Sequence, residues 1–176
     1  MLDNNLDDES TQHLIDNLPD SSSVGAELDT TLWRIPADGG LERRFHGQFL
    51  GIGTTYRNKD SHINHSGTYA DPTTGERCNK CRWYELRLFF DKDSDVYVML
   101  FAGRSAVPGE TQRFRVETAV SAYEVIEILA SREGRGFTAV TDNTIRLPAP
   151  ALRALAQAAG FDRDIETAFN NRRSTV

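Results

Sequence analysis

Both cysteines of this chain and half of its histidines fall in one stretch, HINHSGTYADPTTGERCNKC, residues 62–81. They pair as His62-x2-His65 and Cys78-x2-Cys81. Zinc is held tetrahedrally by thiolate sulfur and imidazole nitrogen, and a two-residue spacing lets one tight turn place two donors on the same side of the metal. Between the pairs, Asp71-Pro72 and Thr74-Gly75 are turn formers that let the chain reverse and bring the second pair to the first. Two thiolates neutralise Zn²⁺ while the histidines bind uncharged, so the set needs no further counterion. Arg77, Lys80 and Arg82 beside the cysteines favour the thiolate form before metal arrives. The spacing predicts one structural Zn²⁺ on His62, His65, Cys78 and Cys81.

Other chemistries fit less well. A redox Cys-x2-Cys opens a helix whose amino end lowers the thiol pKa, whereas this one opens a strand pattern, and an iron–sulfur cluster usually takes four cysteines. Two surface histidines beside an ordinary pair of thiols is the plain alternative. A catalytic zinc keeps three protein ligands and an open position, while two His and two Cys close the tetrahedron. The His-x-Glu and Pro-Cys-x2-Cys of zinc deaminases and the HExxH of zinc proteases are absent. The enzymatic alternative is a zinc-dependent hydrolase or nuclease, in which one histidine is not a ligand and Glu76 or Asp60 acts as base to a metal-bound water. Asp91-x-Asp93-x-Asp95 imitates the start of a calcium loop, but Val96 stands where glycine is required and Ala102 where the closing glutamate belongs, so it reads as a solvated hairpin turn. There is no phosphate-binding GxxxxGK[ST], no GxGxxG after a strand and no GxSxG. His46, in a Phe-rich strand, reads as a partly buried structural histidine, a reserve ligand only if that strand ends beside the loop.

The elements that must position the loop are mostly strands. RRFHGQFLGIGTTYR, residues 43–57, reads as a strand whose glycines mark bends or close packing. After the loop, RWYELRLFF sets Tyr84, Leu86, Leu88 and Phe90 on one face and Trp83, Glu85, Arg87 and Phe89 on the other. DKDSD turns the chain into VYVMLFA, residues 96–102, apolar on both faces and therefore a central strand paired with the preceding one. TQRFRVE alternates again, and residues 119–131 have the apolar density of a helix on a sheet. Residues 137–147 contain two short β-like runs split by Asp142-Asn143. Leu152, Leu155, Ala156 and Ala159 then repeat at helical spacing until Gly160, and Ile165, Ala168 and Phe169 begin a last helix. The expected fold is α+β: an antiparallel sheet of about four to six strands, two or three helices, mainly C-terminal, and a zinc-knuckle loop inserted between strands.

The net charge of −6 is unevenly distributed. No lysine or arginine precedes Arg34, while Asp3, Asp7, Asp8, Glu9, Asp16, Asp20, Glu27 and Asp29 do, which leaves the rest slightly basic. Residues 1–30 are therefore expected to be a flexible acidic tail, with Leu14, Ile15 and Leu18 as a short amphipathic stretch able to dock on a partner or on the protein's own basic face. Residues 31–170 form a single zinc-stabilised domain and 171–176 a C-terminal tail. With 39% hydrophobic and 26% charged residues and no apolar run near the ~20 residues of a membrane span, no membrane role is expected. The acidic start MLDNNLDDES differs from a secretory signal, so a cytoplasmic setting with reduced thiols is expected.

HINHSGTYADPTTGERCNKCRW resembles small uncharacterised proteins of actinobacteria and their phages that carry an H-x2-H followed by C-x2-C-R-W. The resemblance covers residues 40–105 and implies an accessory protein, phage-encoded, without naming a substrate. Arg77, Lys80, Arg82 and Arg87, with Tyr69 and Trp83, would then present a basic, aromatic surface to a protein partner or to nucleic acid. The sequence thus points to a non-enzymatic, zinc-stabilised binding or regulatory protein.

Overall fold

A computed structural model describes residues 4–5, 13–14, 17–25, 31–37, 40–55, 82–105, 111–131, 147 and 149–173. Its strands are β1 (Asn4–Asn5), β2 (Leu32–Ala37), β3 (Leu41–Thr54), β4 (Arg82–Asp91), β5 (Val96–Ser105) and β6 (Arg113–Ala119). Its helices are α1 (Ala122–Ala130), α2 (Ala149–Ala158) and α3 (Arg163–Arg173). All strand pairs are antiparallel. The α+β class and the C-terminal weighting of the helices agree with the sequence patterns.

β3 is long because it serves three partners: β1 places Asn4 and Asn5 opposite Glu42 and Leu41, and β2 and β4 take the longer stretches. Its first part pairs with β2, from Leu32 opposite His46 to Ala37 opposite Leu41, and its second part with β4, from Gly47 opposite Asp91 to Thr54 opposite Glu85. The β2 pairing ends at His46 and the β4 pairing begins at Gly47; a register shift between Phe49 and Gly51, within the β4 pairing, bends the strand. β4 and β5 form the expected hairpin, from Asp91 opposite Val96 to Arg82 opposite Ser105, and β5 lies between β4 and β6. The sheet curls until β2 comes back against β6.

Curling gives the sheet two cores. On the convex side Leu50, Leu86, Leu88, Met99 and Phe101 pack under the three helices. On the concave side Ile35, Phe45, Phe49, Phe89, Val98, Leu100 and Phe114 fill the interior, with Trp33 against them. The Phe89 ring sits 5.0 Å from Phe49, 5.5 Å from Trp33 and 5.6 Å from Phe45. The β4 face bearing Phe89 is covered at Phe89 by the sheet's own curl.

The helices are seated by local chemistry. Ser121 caps α1 by accepting from the Glu124 amide at 3.2 Å, and Asp162 caps α3 by accepting from the Ile165 amide at 2.9 Å while also taking the Tyr97 hydroxyl at 3.0 Å. Pro150 stands at the start of α2, where no N–H is needed. α2 crosses so close to β3 that a Cβ on Gly53 would overlap the Pro150 carbonyl and one on Gly51 the Ala154 carbonyl. Those strand glycines are packing requirements. Among the described residues no helix is long and apolar enough to cross a membrane. The β-like runs expected at residues 137–147 lie largely outside the described residues.

Candidate functional site at the base of the residue 56–81 excursion

The chain leaves β3 after Thr55 and returns at β4, and the two ends are tied together. The Thr55 amide donates to the Tyr84 carbonyl at 3.0 Å, and the Tyr84 amide donates to the Thr55 hydroxyl at 2.9 Å. Residues 56–81 are therefore an insertion at the end of a closed β3–β4 hairpin. His62, His65, Cys78 and Cys81 lie outside the described residues, as do Tyr69, Arg77, Lys80 and the alternative bases Asp60 and Glu76. Among the described residues no group of three or more His, Cys, Asp and Glu is arranged to hold a metal ion.

Arg82, Trp83 and Arg87 are reached through β4. The Arg82 backbone opens the strand opposite Ser105. Trp83 is half-buried and its indole N–H donates to Glu85 Oε1 at 2.7 Å. Glu85 also accepts from Arg87 at 2.5 Å, with Arg104 3.7 Å away. Arg87, expected on a partner-facing surface, is only 6% exposed. Besides Glu85 its guanidinium donates to the Pro19 carbonyl at 2.8 Å. It sits on the inward face of a curled strand, where a charge survives only if paired.

Burial alone would raise the Glu85 carboxyl, but the charges of Arg87 and Arg104 and the hydrogen bonds from Trp83 and Arg87 outweigh it and hold the group below its ordinary value. A carboxylate kept ionised and taken up by two donors is a structural anion, poorly placed to accept a substrate proton. This cluster floors a cleft of about 560 Å³ bounded by Asp20, Trp83, Arg153 and Gln157. Arg153 donates to the Thr54 carbonyl, and Gln157 Oε1 accepts from the Ile52 amide at 2.7 Å. Side chains of α2 thereby close the β3 edge that β4 leaves open, which blunts pairing with foreign strands.

Part of the segment expected as a flexible acidic tail packs on the domain. Leu14 is 4% exposed, and Leu18 and Val24 lie against the concave core. The Gly25 amide donates to the Phe49 carbonyl at 3.1 Å. Of the two fates open to the amphipathic stretch, these residues show docking on the protein's own surface, with Arg87 as the basic group. Asp20 takes both the hydroxyl and the amide of Ser22, at 2.5 and 2.8 Å, which lowers its carboxyl below its usual value.

His46 is half-exposed and sits beside the β4–β5 turn, with Nδ1 3.1 Å from Asp93, beyond the end of the β3–β4 pairing that lies far from Thr55. It does not stand where β3 ends beside the start of residues 56–81, the condition for a reserve ligand. The Asp91–Asp95 stretch is the expected hairpin turn, but it is not solvated throughout: Asp91 is buried and accepts from Arg43 at 3.0 Å and from the Ser94 amide at 3.1 Å.

Two charge clusters went unread in the sequence. Glu42, 1% exposed, binds Arg34 at 2.7 Å and also Arg44, and Arg34 above all draws its pKa from 4.5 to about 2. The Glu85–Arg87 pair left a signal, since opposite charges two residues apart on a strand share a face. Whether that face turns inward depends on the curl of the whole sheet, which the alternation does not show. No protein-family model, curated protein or solved structure matches the chain, so its residues and their geometry carry the functional reading.

Proposed function

We propose that the protein is a non-enzymatic binding or regulatory protein, built as a rigid curled sheet that presents residues 56–81 as a zinc-stabilised loop. In this reading His62, His65, Cys78 and Cys81 hold one structural zinc, and the protein serves a cytoplasmic accessory role of actinobacterial or phage type. The observation that supports it is the Thr55–Tyr84 closure. A hairpin that ties the two ends of the insertion to adjacent strands already removes part of the chain entropy that a four-ligand site must overcome. The described acids near the hairpin base are engaged in structural pairs, which suits a presenting scaffold better than a reaction centre.

The contact surface is then the loop itself with its basic residues Arg77, Lys80 and Arg82, the aromatic Tyr69, and the half-buried Trp83 at its base. Arg87 drops out of that surface and supports it from below. The test is binding by the zinc-loaded protein to a fluorescein-labelled single-stranded 20-mer oligonucleotide over a salt series, alongside in vivo crosslinking for protein partners. Charge reversal at Arg77 and Lys80 should weaken whichever contact is found by about tenfold or more without lowering the melting temperature. Unchanged binding by the folded, charge-reversed protein would refute the surface.

A further inference from the structure

The described residues of segment 13–25 do more than cover the domain: they occupy a groove as a peptide ligand would. Leu14 is buried, Leu18 and Val24 pack on the concave core, and the Pro19 carbonyl takes a hydrogen bond from Arg87. At its end Gly25, with φ of 73°, lies against the Phe161 ring and donates to Phe49 on the edge of β3. The segment is turned rather than extended: the Asn17 amide donates to the His13 carbonyl at 3.2 Å and a 3-10 turn at Ser21–Ser23 is capped by Asp20, so its apolar side chains act as the anchors of a short helical ligand do. The chemistry is also matched in charge, because the segment is acidic and the groove contributes Arg87.

Among the described residues the attachment is made by the apolar side chains of Leu14, Leu18 and Val24 and by hydrogen bonds at Pro19 and Gly25. A surface segment held in this way opens at the low-stability end of a protein's range. Opening would uncover part of the concave core and take the Pro19 carbonyl from Arg87. A buried cation and an apolar wall would then be open to a segment of the same composition.

We propose that residues 13–25 are a displaceable internal ligand, and that their groove is a docking site for a partner protein's short, turned segment of the same chemistry: two leucines four residues apart, then proline and a carboxylate. The inference goes beyond the metal loop and does not depend on whether that loop holds zinc. Covalent continuity makes the internal segment a competitor at high effective concentration, so a partner gains access when the segment is released.

The probe is a fluorescein-labelled synthetic peptide of residues 13–25, HLIDNLPDSSSVG, titrated by anisotropy with the full chain and with Leu18→Asp, which disfavours the internal segment. The Leu18→Asp chain should bind the peptide about tenfold more tightly than the wild type, and the peptide with both leucines changed to alanine should not bind. In the wild-type chain, amides of residues 17–25 should exchange with solvent faster than those of β4 and β5, an arm that decides the matter should the variant fail to fold. Equal protection of residues 17–25 and β5 would overturn the proposal, as would a folded Leu18→Asp chain that ignores the peptide or binds a scrambled one equally. Dimerisation of the released chain that excess peptide cannot reverse would also overturn it, and assign the groove to a second copy.

Discussion

Phe89→Ala measures whether the second face of β4 is a core. Phe89 is fully buried and touches Trp33, Phe45 and Phe49 at ring distances of 5.0–5.6 Å. Truncating a buried Phe costs about 3–5 kcal/mol, and losing aromatic contacts worth about 0.5–1.5 kcal/mol each places the expected value no lower than the middle of that range, about 4 kcal/mol. Against a total stability of about 5–15 kcal/mol, that is a large fraction. With a urea m-value near 2 kcal/mol/M the unfolding midpoint should fall by about 2 M, read by the fluorescence of Trp33. Phe89→Leu, which keeps most of the volume, should recover most of the loss, to within about 1.5 kcal/mol of wild type. A loss for Phe89→Ala below about 1 kcal/mol would mean that the sheet does not close over this face, and the two-core account would fall.

Glu85→Ala should cost about 3–5 kcal/mol in denaturant unfolding, because it strands Arg87 and Arg104 without their shared anion; a cost under about 1 kcal/mol would show that solvent reaches the cluster. Glu42 titrates near 2 in the folded protein and near 4.5 unfolded, so its contribution is full above about pH 5 and is lost as pH falls toward 2. Because both guanidiniums are about half exposed, that contribution should be about 1–2 kcal/mol, less than the full shift implies; Glu42→Gln should remove it and flatten the acid limb of stability between pH 5 and 2.5. Gly53→Ala should destabilise by about 1–3 kcal/mol or more through overlap with the Pro150 carbonyl, and a neutral effect in thermal melts would contradict the α2–β3 contact.

Alternation in VYVMLFA and RWYELRLFF made β5 and β4 legible, since a strand apolar on both faces belongs in the middle of a sheet. Pro150 and Gly160 mark the ends of α2 in the sequence for the same reason that they form them. β2 was passed over although LWRIPADGGLERRF holds a turn signal, Asp38-Gly39-Gly40, between two runs that do pair; Pro36 within the run masked it, yet an edge strand tolerates proline. Curl is a property of the whole sheet, set by the bend at Phe49–Gly51 and by which strands meet, and no local pattern announces it. That is why alternation alone does not show that Arg87 and Phe89 face inward, and why the stretch of Leu14, Ile15 and Leu18 reads equally as docking on a partner or on the protein's own surface. The candidate ligands were legible by spacing alone, and their reading still rests on that spacing and on the closed hairpin beneath them.

Metal content with ligand identity tests the central claim most directly. Protein purified under reducing conditions without chelator should carry one zinc per chain by elemental analysis, and X-ray absorption should show two sulfur and two nitrogen neighbours at about 2.3 and 2.0–2.1 Å. Cys78→Ser and Cys81→Ser should each lose the metal while the sheet core keeps its cooperative unfolding, because the two cores lie outside the insertion. Zinc-free protein under these conditions, or a Cys78–Cys81 disulfide in reducing buffer, would contradict the account.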